Sequence, residues 1–147
     1  MVVKIVRAVW FISLLVAAAY LLYVYAGLPE SVDIGNQLQI ERSVFFYLLL
    51  LVIGAFNALG FVIRKLFQNQ PDIQTWFFGL LIFFHLFLIV ALTFTQLTNS
   101  LERFDYERMG FLINTSVALL VVWAFGYPLF QWLQKKLLPK AVHTSAD

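Results

Sequence analysis

The chain has no cysteine, which removes disulfides, thiol redox chemistry and thiolate metal ligands from consideration. Charge is also scarce: Asp, Glu, Lys and Arg make up 12% of 147 residues, about half the share of an average soluble protein. No glycine-rich phosphate loop, HExxH pair or Ser/His/Asp arrangement occurs. Hydrophobic residues fill the space instead, at 62% of the chain, and the mean hydropathy of +0.85 is that of an integral membrane protein. The net charge of +2 does not point to nucleic acid. The ten basic residues stand at the ends of apolar runs and form no continuous basic face.

Four of these runs, about residues 5–26, 44–66, 76–97 and 110–133, have the length of a helix that crosses a hydrocarbon core at 1.5 Å per residue. The expected fold is an all-α integral membrane protein with four transmembrane helices in an antiparallel up-down bundle. So short a chain leaves room for one membrane domain, three loops and a tail. The basic start at Lys4 and Arg7, the apolar run and Ala17-Ala18-Ala19 also resemble a signal peptide. The run continues through Tyr20, Tyr23 and Tyr25, however, which suits a retained span with an interfacial tyrosine belt. Gly27 and Pro29 then end the helix.

The first loop alternates apolar Val32, Ile34, Leu38 and Ile40 with polar residues around Gly35-Asn36. That is the pattern of a short β-hairpin, although an irregular loop resting on the bundle end remains the alternative. Glu30, Asp33 and Glu41 against Arg42 make it acidic. Between the second and third spans, Gln68-Asn69-Gln70-Pro71-Asp72 forms a turn and a cap for the third helix. Residues 99–109 interleave charges with Leu101, Phe104 and Tyr106, as a solvated extension at the headgroup level would. Pro128 should kink the fourth helix about a turn before its end, and 135–147, with His143, reads as a basic and then disordered tail.

Lys4, Arg7, Arg64, Lys65, Lys135, Lys136 and Lys140 fall on one side of four alternating spans, and Arg42, Arg103 and Arg108 on the other. The positive-inside rule puts both termini in the cytoplasm. Trp10, Trp76 and Trp132 fall toward the same inner interface, an agreement independent of the charge count.

Depth can then be compared between spans. His85 lies nine residues from Trp76, Asn57 nine from Leu66 and Ser13 eight from Ile5, which places all three roughly 12 to 14 Å from the inner end of their helices. Gln96 and Asn99 return to within about 40° of the histidine's direction, giving the third helix a polar stripe that points inward. Gly54 and Ala58 beside Asn57 form a small-residue pair suited to close helix approach. Thr93, Thr95, Thr98, Asn114, Thr115 and Ser116 lie toward the outer leaflet, where they line a small cavity or satisfy one another.

A histidine at membrane depth is a site hypothesis, able to relay protons or ligate a metal or haem iron. Each of those tasks needs partners. A second membrane histidine for haem and a membrane-embedded Asp, Glu or Cys are missing from all four spans, and a small four-helix proton-coupled exporter would be expected to carry an embedded carboxylate. The competing reading is that His85 hydrogen-bonds Asn57, Ser13 or a carbonyl and fixes helix register.

Leu28-Pro29 just outside the first span, followed by a short extended loop and a second span, resembles the opening of SdpI-type membrane proteins over Val16 to Lys65. Members of that family include immunity and signalling factors. The His-Phe-Asn and Gly-x-x-Asp elements of the family's loop do not occur here, so the resemblance transfers no functional residue. The plan is also similar to that of many small bacterial four-helix inner-membrane proteins. The expected function is that of a noncatalytic accessory, assembly or interaction subunit with no cofactor. Its expected partners are the lipid bilayer and a membrane protein or a second copy, with no nucleic acid. The alternative is a small oligomeric transporter or channel using the polar face of the third helix.

Overall fold

A computed structural model of the chain describes residues 2–35, 38–100 and 106–137. Helix α1 is Val2–Gly27, strands β1 and β2 are Ser31–Asp33 and Gln39–Glu41, and helices α2, α3 and α4 are Arg42–Leu66, Pro71–Thr98 and Tyr106–Leu137. The helices contain 26, 25, 28 and 32 residues, lengths of roughly 38 to 48 Å against a hydrocarbon core of about 30 Å. All four contain a window apolar enough to cross a membrane. The expected all-α, four-helix membrane fold is therefore observed.

Helix α3 is the centre of the packing. It lies most extensively against α1, next against α4, and more sparsely against α2, while α1 and α2 barely touch. Its buried residues Gln74, Phe78, Leu81, His85, Leu88 and Leu92 recur at steps of three and four along one face, with Phe84 at its edge. Gly79 is buried on a different side, beneath Trp123 of α4. Toward the hairpin end of the bundle Phe84, Leu88 and Leu92 pack with Leu21, Val24, Leu28, Val32 and Ile53, and Phe84 stacks on Phe56 at 4.3 Å. Nearer the amino-terminal end of α3, Phe78 and Leu81 pack with Trp10. Lipid tails solvate leucine as well as another leucine does, so these contacts stabilise through close fit rather than through escape from water.

The first loop is a hairpin. Ser31 pairs with Glu41, Val32 with Ile40 and Asp33 with Gln39 in antiparallel register, with Val32 buried and its strand neighbours exposed. Gly35 takes φ +95°, open to glycine without steric penalty, and its N–H donates to Asp33 Oδ1 at 2.7 Å. A two-stranded ribbon is marginal alone, and this one is fastened to the bundle twice. Asn99 at the end of α3 accepts from Asp33 N at 2.7 Å and donates to Asp33 O at 2.9 Å. Arg42 donates to Leu28 O at 3.0 Å and lies over the Tyr25 ring.

Several sequence expectations need correction. Gly54 and Ala58 are exposed, and a Cβ at Gly54 would meet nothing within 4 Å; the close approaches occur at Gly60, beside Leu81 and Phe78, and at Gly79, beside Trp123. The turn before α3 supplies no side-chain cap. Helix α4 runs nine residues past Pro128 to Leu137, carrying Lys135 and Lys136 within it, because a proline interrupts one backbone hydrogen bond and neighbouring turns can hold the helix across it. Residues 101–105 and 138–147, with His143, lie outside the described residues, as do the side chains of 106–109.

Candidate functional site

Three helices bring polar groups to one depth, and their hydrogen positions follow from donor chemistry alone. An indole N–H can only donate, so the Asn57 atom 2.8 Å from Trp10 Nε1 is the carboxamide oxygen, Oδ1. The amide nitrogen of Asn57 then faces Ile53 O at 2.8 Å and His85 Nε2 at 3.1 Å, giving one hydrogen to each. His85 Nε2 is therefore an acceptor. In the neutral ring the proton sits on Nδ1, which donates to Ser13 Oγ at 2.8 Å. Ser13 passes its own hydrogen to Trp10 O at 2.8 Å. The chain of bonds leaves α1 at the Trp10 indole, crosses α2 and α3, and returns to α1 at the Trp10 carbonyl.

This circuit uses every hydrogen of the Trp10, Asn57, His85 and Ser13 side chains that can be donated. His85 is wholly buried and Asn57 nearly so. A buried polar network with all its members paired rigidifies its surroundings. A proton relay would need a path that continues beyond the ring, whereas this one closes on a backbone carbonyl. Among the described residues no three His, Cys, Asp or Glu side chains converge as metal donors.

Sequence reasoning located His85, Asn57 and Ser13 and missed Trp10, whose indole looked interfacial. The other candidates lie elsewhere. Asn99 clamps the hairpin, and Gln96 is half-buried at the same end of α3, its Nε2 3.4 Å from where a Cβ on Gly27 would stand. Asn114 is exposed on α4 and joins no interhelical contact of this group, because α4 packs almost wholly against α3 through its other side. The hydroxyls toward the hairpin end mostly bond back along their own helices: Thr93 to Ile89 O, Thr95 to Ala91 O, Thr98 to Thr95 O and Ser116 to Ile113 O. Thr93 also meets Tyr20 Oη at 2.7 Å, tying α1 to α3 a second time.

A second polar group stands at the end of the bundle that carries the amino terminus. Gln74, on the first turns of α3, is buried and donates from Nε2 to Phe67 O at 2.6 Å and Gln68 O at 3.3 Å. These bonds serve the first two carbonyls of the α2–α3 connection, Phe67 O also accepting from Gln70 N at 3.0 Å. Its Oε1 accepts from Arg7 Nη2 at 2.9 Å, and Phe78 lies under the guanidinium at 5.9 Å.

On the opposite flank of α3, Trp76 Nε1 donates to Trp123 O at 3.0 Å and Trp123 Nε1 to Trp76 O at 2.9 Å. This reciprocal pair fastens α4, with Gly79 leaving room for the Trp123 ring. Below it opens a cleft of about 910 Å³ lined by Trp76, Trp123, Tyr127 and Phe130, with Asp72 among its walls. No known protein family, curated protein or solved structure matches this chain.

Proposed function

We propose that the protein is a noncatalytic integral membrane subunit that assembles with a partner or a second copy, in a bacterial inner membrane with both termini cytoplasmic. The observation that carries this reading is the exposure of α4. It is held to the bundle by one flank against α3, and its membrane window has no buried residue. Asn114 and Thr115 are exposed on it, although polar groups on a spanning helix are seldom left to lipid. A neighbouring helix would satisfy them. The closed circuit around His85 adds support, since its hydrogen bonds serve to hold α1, α2 and α3 together.

A photocrosslinking residue placed at Val117 on the exposed part of α4, with one at Leu51 on α2 as a control, tests the assembly in native membranes. A discrete adduct from Val117 and none from Leu51 is the expected result. A monomer without adducts from either site refutes the reading.

The second reading, a small oligomeric transporter or channel along the polar face of α3, draws on the run Thr93, Thr95, Gln96 and Asn99. Tyr20 and Ser13 of α1 already engage that face, so a path along it requires α1 to move. Flux in proteoliposomes that disappears in the His85→Ala/Gln96→Ala variant would favour it.

A further inference from the structure

Three cations converge at the amino-terminal end of the bundle around a cleft of about 540 Å³, lined by Arg7, Phe61, Arg64, Lys65, Gln68 and Gln74. No carboxylate is among these residues. The volume falls within the range of roughly 300 to 1,000 Å³ typical of small-ligand sites. One wall is built with care: Gln74 is buried, its amide nitrogen is occupied by the Phe67 and Gln68 carbonyls, and its oxygen holds Arg7 Nη2. Arg7 Nε, by contrast, is buried and has no hydrogen-bond partner among the described residues. A buried donor left unpaired is unfavourable, and a ligand oxygen or a water it orders would remove that cost.

We infer that this cleft is a binding site for a phosphate-bearing anion, supplied by the headgroup of an anionic phospholipid. A planar guanidinium fixed at one end presents its remaining N–H groups as a fork suited to phosphate oxygens, and Arg64 and Lys65 add two charges from the last turn of α2. Basic pockets between spanning helices are known to take lipid phosphates. The position favours a lipid over a free anion. Arg7 lies one turn from Trp10, at the end of its span, and Phe61 lines the cleft while 62% exposed to the surrounding medium. The Phe61 ring meets Trp10 edge-on at 6.0 Å, so an apolar wall leads from the charged cleft onto the lipid-facing side of the bundle. Headgroup and acyl chain would each meet the surface they need. Gln74 acts here as a positioning residue, through Arg7.

The full-length protein in mild detergent, delipidated and mixed with equimolar phosphatidylglycerol and phosphatidylcholine, is examined by native mass spectrometry for the lipid it retains. A single, preferentially bound phosphatidylglycerol is expected. The Arg64→Gln/Lys65→Gln variant, whose changes are at exposed positions, should weaken that preference by about thirtyfold, the factor for two charges at a lipid surface. Lys4→Gln/Lys136→Gln removes the same charge from the same end but outside the cleft, and should leave the preference intact. Arg7→Lys keeps the charge without the fork and should fall between wild type and the Arg64/Lys65 variant. Inorganic phosphate is titrated in parallel. Saturable phosphate binding that excludes phosphatidylglycerol, and is lost in Arg64→Gln/Lys65→Gln, identifies free phosphate as the source and upholds the site. Equal retention of both lipids with no phosphate binding overturns the inference, as does an equal loss in the Lys4/Lys136 control.

Discussion

The hydrogen assignment around His85 makes a demand that can be measured directly. Because Asn57 has both amide hydrogens committed once Trp10 takes its oxygen, the ring must carry its proton on Nδ1. Nitrogen NMR of histidine-labelled protein in lipid should show that tautomer, and the Nε2–H form would break the proposed circuit. His85→Leu leaves an Asn57 hydrogen and the Ser13 oxygen without their partner. Interhelical bonds contribute about 0.6 to 1 kcal/mol each and a stranded buried donor costs about 1 to 3 kcal/mol, so a loss of about 2 kcal/mol is expected in a denaturation assay. Trp10→Phe, which strands only Asn57 Oδ1, should cost about 1 kcal/mol. An unchanged stability together with a lost phenotype would instead mark His85 as functional. Much of this cluster was legible in the sequence, since residues at equal distance from the ends of straight helices share a depth. Trp10 was not, because an indole near a span end usually belongs to the interface. Gln74 was hidden for a similar reason: a glutamine at the start of a helix reads as solvated until a guanidinium and two backbone carbonyls are found around it.

Helix boundaries followed from apolar length, but which faces meet did not. Every face of these helices is apolar, so a hydrophobic pattern that identifies the buried side of a soluble helix has no purchase here. Small residues are the remaining signal, and Gly54 with Ala58 was a false one; the used glycines are Gly60 and Gly79. At Gly79 a Cβ would lie 2.6 Å from the Trp123 ring, too close without movement of the indole that exchanges hydrogen bonds with Trp76. Gly79→Ala should therefore cost about 1 to 3 kcal/mol by overpacking. Trp123→Leu removes the ring and should relieve most of that cost in the double variant. The two changes must couple, because they share one contact; strictly additive effects would show that α4 is held by something else. The hairpin is a different case. Alternation around a glycine announced it, but its staying in place is accounted for by Asn99, which offers Asp33 both an acceptor and a donor as a third strand would, and by Arg42, which holds Leu28 O.

Charge is segregated between the two ends of the molecule. Arg7, Arg64 and Lys65 line one cleft, whereas Arg42, the hairpin and the end of α3 meet at the other. An even number of spans returns both termini to the Arg7 end, where Lys4 and Lys136 also stand. Among the described residues Lys4, Arg7, Arg64, Lys65 and Lys136 thus stand at one end and Arg42 at the other, and under the positive-inside rule the richer end is the one expected in the cytoplasm. A reporter active only in the cytoplasm should function when fused after Asp147, and one active only outside should function when inserted at the hairpin turn beside Gly35. The charge argument also says what would reverse the molecule. Neutralising Lys4, Arg7, Arg64 and Lys65 while adding four lysines to the hairpin moves the excess to the other end, and the two reporters should then exchange their activities in at least part of the population. If the orientation stays fixed under that exchange, basic residues are not what sets it, and the proposal that both termini are cytoplasmic loses its support.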